Sequence, residues 1–267
     1  MFEELFKLES IKKGKANVFL IAFIFSELGL ISSFVIFPQN IGLMSLAFTS
    51  LLLMPYLYQV LNAPEPVEKG TNFFKQAFKN HNQTISIYFW LFMGILLSYA
   101  IFSLLLPNLS VIKLFDSQLS FIGVTGNASG GFNFTSILAN NIKVLIACVL
   151  LSLVYGAGSM LFLTWNASVW GAIFGYIARQ SANVVGQNPL VYFVSLFLKV
   201  LPHTAAEAAS YFFAVIAGAV ISKAIIREQF GTETFNYILK EAMLFFAISL
   251  LLIVTAGFLE TVLFPML

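Results

Sequence analysis

Two residues with the potential for chemistry lie inside an apolar part of the chain. His203 and Glu207 are four positions apart, so on a helix they would share one face. A histidine and a carboxylate on one face can supply two ligands to a metal ion, or pass a proton. A metal would need a third ligand, and Glu260 is the carboxylate placed to provide it. Lys199, four positions before His203, extends this polar cluster.

A structural interpretation of the same stretch is equally consistent with the sequence. Thr204 and Glu207 have the spacing of a capping box, in which the threonine caps a helix start and the glutamate reaches back. Pro202 just upstream is typical of a chain that turns into a helix. The sequence has no H-E-x-x-H motif and only one cysteine, so we expect no metal, no cofactor and no enzymatic activity. An ionisable residue in a membrane is nevertheless costly, which keeps a functional role open.

Composition indicates that a bilayer surrounds these residues. Hydrophobic residues make up 59% of the chain and charged residues 10%, whereas soluble domains carry about 25% charged residues. Beside six apolar runs, residues 166–202 form an interrupted segment whose Gly186, Asn188 and Pro189 predict two short helices making one crossing. We therefore expect an all-α bundle of about seven transmembrane crossings. The six runs are residues 17–37, 41–61, 85–106, 142–165, 204–226 and 241–264.

Positive charge predicts the orientation of this bundle. Ten of the 14 Lys and Arg residues lie beside ends of the predicted spans that would share one side, and cytoplasmic loops are enriched in such residues. We expect a multi-pass cell-membrane protein with a cytoplasmic N-terminus and an external C-terminus. Its regions would be two leading spans (residues 1–61), a cytoplasmic loop with an interfacial helix and a solvated His81 (62–84), and a membrane core (85–267) with an external loop (107–141).

Two further sets of residues predict structure. Asn140, Asn141 and Asn166 bracket the predicted fourth span, and asparagines at helix ends are usually caps. Gly171 and Gly175 form a GxxxG pair, and small residues recur every fourth position in the fifth span. Such faces let membrane helices approach closely, and the partner helix could be internal or belong to another molecule. The recurring small residues are Ala206, Ser210, Ala214, Gly218 and Ser222.

Four stretches of the chain together resemble the stage II sporulation protein M family. They are FFKQAFKNHNQTISIYFWLFMGILL, NNIKVLIACVLLSLVYGAGSMLFLTWNASVWGAIFG, LPHTAAEAASYFFAVIAGAVISKAI and LLLIVTAGFLETVLFPML. The resemblance covers residues 72–267 and leaves the two leading spans outside it. Thr204 and Ala167 stand where the family favours glycine. The positions that match its polar residues are His203, Glu207, Asn166 and Glu260.

The resemblance implies a helical membrane core that binds partners. The family's namesake is a membrane scaffold in a complex that holds peptidoglycan hydrolases during engulfment in sporulating bacteria. We therefore expect a non-enzymatic scaffold or assembly protein that packs with membrane proteins, or with itself, through its small-residue helix faces and binds no nucleic acid. The alternative is a transporter or lipid-handling protein with a polar site at Lys199, His203, Glu207 and Glu260. An intramembrane metalloenzyme is a third option.

Overall fold

A computed structural model describes residues 14–62, 68–120, 134–155 and 160–263. Within these ranges the chain forms nine α-helices and no strand, and seven of the helices are long and apolar enough to cross a membrane. The predicted all-α bundle of about seven crossings is thereby confirmed. The helices are α1 (Lys15–Ile36), α2 (Ile41–Asn62), α3 (Phe73–Leu105), α4 (Asn108–Leu114), α5 (Asp116–Leu119), α6 (Phe134–Tyr155), α7 (Met160–Val185), α8 (Pro189–Arg227) and α9 (Glu233–Leu263).

The middle of the chain is divided between helices differently from the prediction. The predicted fourth span, residues 142–165, straddles the end of α6 and the start of α7. The interrupted segment, residues 166–202, contains the rest of α7 and the beginning of α8, so it does not consist of two short helices. Arg179 is a charged residue within α7, and its Nη1 donates to the carbonyl oxygen of Leu104 at 3.1 Å. A partner inside the bundle therefore offsets the cost of that charge.

The predicted break does exist, as a tight turn between α7 and α8. Gly186 has a φ of 71°, a left-handed conformation that glycine adopts readily at helix C-termini. The backbone N–H of Gln187 donates to the carbonyl oxygen of Ala182 at 2.9 Å. Asn188 then caps α8, its Oδ1 accepting from the backbone N–H of Leu190 at 2.9 Å, and Pro189 occupies the first turn.

The central element of the bundle is α8, which packs against α3, α6, α7 and α9. It runs antiparallel to α9, where Ser210 Oγ donates to the carbonyl oxygen of Ser249 at 2.9 Å. Gly218 lies against α6, because a Cβ at that position would be only 2.6 Å from the carbonyl oxygen of Val149. The partners of this small-residue face thus include helices of the same chain. Ser210, Ala214 and Gly218 are buried, and Ala206 and Ser222 are half-buried.

A second close contact joins α3 and α7. A Cβ on Gly175 would be 2.7 Å from the carbonyl oxygen of Ala100, and Gly171 lies as close to the backbone of Leu96. The GxxxG pair is therefore also used within the chain, and it permits the close backbone approach that such pairs permit in membranes. The predicted interfacial helix is the first part of α3, since this helix begins at Phe73 and runs without interruption to Leu105.

Candidate functional site

Three of the four residues in the predicted polar cluster meet between α8 and α9. His203 Nε2 lies 3.4 Å from Glu207 Oε2 and 4.0 Å from Glu260 Oε2. His203 and Glu207 are buried, and the Glu260 side chain is 19% exposed. Lys199 is exposed instead.

The cluster is built from one turn of each helix. His203 and Glu207 are four residues apart on α8, and Ala256 and Glu260 are four residues apart on the facing side of α9. His203 Nδ1 lies 3.1 Å from the carbonyl oxygen of Ala256. A carbonyl oxygen can only accept, so Nδ1 carries the hydrogen of this bond. Tyr211, one turn further along α8, donates from its hydroxyl to Glu207 Oε1 at 2.9 Å.

The capping-box interpretation of this stretch is wrong. The helix begins at Pro189 and continues through Pro202, so Thr204 lies inside it. The hydroxyl of Thr204 donates to the carbonyl oxygen of Val200 at 3.1 Å. Glu207 contacts His203 and Tyr211 rather than reaching back to a helix start. In a bilayer, water cannot compensate for lost backbone hydrogen bonds, which favours continuing the helix across a proline.

The three asparagines are not helix caps either. Helix α6 begins at Phe134 and α7 at Met160, so Asn140, Asn141 and Asn166 all lie within helices. Asn166 Nδ2 donates to the carbonyl oxygen of Phe162 at 2.8 Å, within its own helix. Asn141 is buried, whereas Asn140 is exposed. The predicted external loop ended at residue 141 and the predicted span began at residue 142. Helix α6 begins eight residues earlier, at Phe134.

A second buried histidine–glutamate site lies between α3 and α9. His81 Nε2 is 3.2 Å from Glu241 Oε2, and Asn80 Nδ2 donates to Glu241 Oε1 at 2.7 Å. Glu241 is completely buried and His81 is 9% exposed, so the prediction of a solvated His81 is wrong. A sequence signal existed, because Ala77 and Thr84 lie on the same helical face as His81 and are also buried.

The two sites are separated by most of the apolar length of α9. Glu241 and Glu260 are 19 positions apart, and no charged residue occurs between them. At 1.5 Å per residue the separation along the helix is about 28 Å, close to the roughly 30 Å thickness of a hydrocarbon core. Each polar site therefore lies toward one boundary of the apolar layer, and neither is at its middle.

Glu27 is a further carboxylate inside the bundle, half-buried, that belongs to none of the predicted sites. It lies on α1, where Ser98 Oγ of α3 donates to its Oε1 at 3.0 Å. The two helices approach closely, since a Cβ on Gly94 would be 2.5 Å from the carbonyl oxygen of Phe19. The available signal was the isolation of Glu27, which is the only charged residue between positions 16 and 62.

An apolar groove of about 490 Å³ opens on the other side of α8. Its α8 lining includes Thr204, Ala208 and Phe212, which point away from the turn that carries His203 and Glu207. The lining is aromatic along much of its length and contains polar side chains from the starts of α1 and α3. These are Lys15, Asn82 and Ser86.

Comparison with known protein families identifies a match over the later part of the chain. A family model described as Stage II sporulation protein M matches residues 111–265. The match covers more than half of the chain and includes His203, Glu207 and Glu260. It begins later than the resemblance at residue 72, so α3 lies outside it together with α1 and α2. No match was found among curated proteins or among solved structures. The chain therefore belongs to the stage II sporulation protein M family.

Proposed function

We propose that this chain is a membrane assembly protein that binds a partner membrane helix through one face of α6. The observation that carries the proposal is a row of exposed polar residues on a helix that is apolar enough to span. Ser136, Asn140 and Lys143 are all exposed. Their spacing of four and three residues places them on one helical face. Polar side chains on the outer face of a membrane helix are costly unless water or another protein covers them.

The depth of Lys143 makes a solvated position difficult. Helix α6 begins beside Gly257 of α9, because a Cβ on that glycine would be 3.5 Å from the Phe134 ring. Lys143 is nine residues further along α6, about 13 Å deeper into the bundle, which exceeds the reach of a lysine side chain that snorkels toward water. A lysine at the centre of a bilayer costs about 2.5–3.5 kcal/mol on insertion scales.

A carboxylate on the partner helix would offset this cost. None of the ion pairs among the described residues involves Lys143. Helix α6 packs mainly on α8 and α9, and the other described helices leave its opposite side largely uncovered. The exposed face continues below Lys143 with Ile146, Leu150 and Val154, which are apolar. The complementary surface is thus a helix with an Asp or Glu at the depth of Lys143, followed by apolar residues beside Ile146, Leu150 and Val154.

Site-specific cross-linking in the native membrane tests the proposal. A photoreactive residue at Asn140 should cross-link a membrane protein, and the same residue at the exposed, apolar Ile24 of α1 is the control. Lys143→Glu should abolish the cross-link, and changing the partner's carboxylate to lysine should restore it. Cross-linking to lipid alone, or an undiminished protein cross-link in Lys143→Glu, would contradict the proposal.

A second candidate is transport or lipid handling at His203, Glu207 and Glu260. The convergence of these residues between α8 and α9 favours it, as does the apolar groove on the other side of α8. Transport sites are typically near the middle of the membrane, whereas this cluster lies toward one boundary. Liposome flux or lipid exchange that is unchanged in His203→Ala and Glu207→Gln would count against this candidate.

A further inference from the structure

We propose that His203, Glu207 and Glu260 bind a divalent transition-metal ion, for which Zn²⁺ is the best chemical match. The site offers one imidazole nitrogen and two carboxylate oxygens, and these three atoms lie within 4.8 Å of one another. Zinc sites commonly combine such ligands, and three protein ligands leave a fourth position for water or another oxygen ligand. The sequence favoured no metal because it lacks a zinc motif, but the third ligand here comes from a separate helix.

The distances between the ligand atoms suit a shared metal ion. Two ligands bound tetrahedrally at about 2.0–2.2 Å from Zn²⁺ lie about 3.3–3.6 Å apart. The separation from His203 Nε2 to Glu207 Oε2 is 3.4 Å, and the separation to Glu260 Oε2 is 4.0 Å. A charge-assisted N–H···O bond would be shorter, about 2.7–2.9 Å. A small rotation of the more exposed Glu260 side chain completes the triangle.

The orientation of the imidazole points to the same conclusion. Its Nδ1 donates to the carbonyl oxygen of Ala256, so the neutral ring presents the Nε2 lone pair to the two carboxylates. A cation placed between these three electron-rich atoms would be stabilised by all of them. Metal-binding histidines typically donate their other ring N–H to a carbonyl or carboxylate in this way, which fixes the tautomer.

Glu207 is held in a similar manner. Tyr211 donates to Glu207 Oε1 at 2.9 Å, and Oε2 remains directed at His203. Each α8 ligand therefore has one atom fixed by a neighbouring protein group and one atom facing the centre. Outer-shell hydrogen bonds of this type orient metal ligands, and removing one typically lowers metal affinity 10- to 100-fold.

Charge balance adds a third argument. With a neutral imidazole the two carboxylates sum to −2, and a divalent cation neutralises them. No lysine or arginine among the described residues forms an ion pair with Glu207 or Glu260. Buried carboxylates without a compensating cation are strongly unfavourable in an apolar bundle. Glu260, three residues before the end of α9 and partly exposed, provides a route by which an ion can enter.

Metal titration of the full chain tests the inference. The protein, purified in detergent and stripped with a chelator, should bind one equivalent of Zn²⁺. His203→Ala and Glu260→Gln should each weaken binding at least 100-fold, and Tyr211→Phe should weaken it about 10-fold. The matched control is His81→Ala at the other histidine–glutamate site, which should leave Zn²⁺ affinity unchanged. Co²⁺ added to the stripped wild-type protein should give the visible absorption of a four-coordinate nitrogen and oxygen site.

Either of two results would overturn the inference that this site binds a metal ion. Absence of saturable Zn²⁺ binding together with an octahedral, aqueous-type Co²⁺ spectrum would overturn the inference without any reliance on a variant. Equal Zn²⁺ affinity in the wild type and in a folded Glu260→Gln protein would also overturn it. Neither result bears on the partner-binding face of α6, which the cross-linking experiment tests separately.

Discussion

The two histidine–glutamate sites of this protein contain similar residues but differ in the number of carboxylates relative to the groups that face them. At the α3–α9 site, one carboxylate is opposed by two groups: Glu241 accepts from Asn80 at one oxygen and lies 3.2 Å from His81 at the other. At the α8–α9 site, one histidine faces two carboxylates, Glu207 and Glu260. The first site is complete within the protein. The second has more acceptors than donors.

This difference separates a structural site from a binding site. Polar groups buried in an apolar bundle are stable when every donor and acceptor is paired. Glu241 meets that condition and therefore fastens α9 to α3 without a ligand. In our proposal the α8–α9 site is balanced by a bound metal ion, which makes that site sensitive to what the surroundings supply.

The largest expected effect is at the complete site. Glu241→Ala leaves His81 and Asn80 buried without their carboxylate, and removing one partner from a buried pair typically costs about 3–5 kcal/mol. The free energy of unfolding in detergent should fall by this amount, with or without metal. Glu233→Ala is the control, because the Glu233 side chain is 94% exposed in its ion pair with Lys69 and should change stability little. A Glu241→Ala protein as stable as the wild type would show that the α3–α9 site does not stabilise the fold.

At the α8–α9 site, removing a carboxylate should not lower the stability of the metal-free protein. Glu260→Gln removes one of two facing carboxylates, so the metal-free variant should be as stable as the wild type or more stable. Zn²⁺ at 100 times its dissociation constant should stabilise the wild type by about 2.7 kcal/mol and should not stabilise the variant. Thermal unfolding with and without chelator measures both quantities. Destabilisation of the metal-free variant comparable to that of Glu241→Ala would show that both sites are structural.

A smaller effect is expected at the group that orients Glu207. Tyr211→Phe removes the hydroxyl that donates to Glu207 and should cost about 1 kcal/mol of unfolding free energy. Tyr56→Phe is the matched control, because among the described residues the buried Tyr56 hydroxyl has no hydrogen-bond partner. The control should not lower stability. Equal losses in the two variants would indicate that the Tyr211 hydrogen bond contributes nothing.

The smallest effect is expected for an exposed carboxylate beside the complete site. The hydrogen bond from Lys79 to Glu68, 2.8 Å long, and the lysine charge hold the pKa of Glu68 below its ordinary value. Any stabilisation is therefore present above the unfolded-state pKa and is lost as pH falls through the lower folded-state pKa. Since Glu68 is solvated, Glu68→Gln should leave unfolding unchanged at neutral pH and in acid. A pH-dependent difference between the two proteins would contradict this.

The parts of the fold that were predictable from sequence are those with local causes. Helices α1 and α2 lie close to the predicted runs, residues 17–37 and 41–61, because each is a simple apolar segment. The turn at Gly186 was predictable because glycine and proline act on their own backbone. The start of helix α6 was misplaced because its first two turns mix polar with apolar residues, so no continuous apolar run marks where it begins.

The candidate site was predictable only in part. Spacing along one helix placed His203 and Glu207 together, and α9 offered Glu260 as the remaining carboxylate. Spacing could not show that Lys199 is exposed, because exposure depends on contacts with the neighbouring helices. It also could not show that His81 is buried, since its partner Glu241 is 160 positions away in the chain.

The sequence by itself determined that this is a helical membrane protein of about seven spans, since composition and apolar length follow from residue type alone. It also determined which side chains share one turn of a helix. Only the tertiary structure decided what faces those side chains. It placed Ala256 and Glu260 opposite His203, packed helices of the same chain against the small-residue faces, and left one face of α6 uncovered by the described helices. The physical reason is that burial and charge balance are properties of contacts between distant segments, which no single helix encodes.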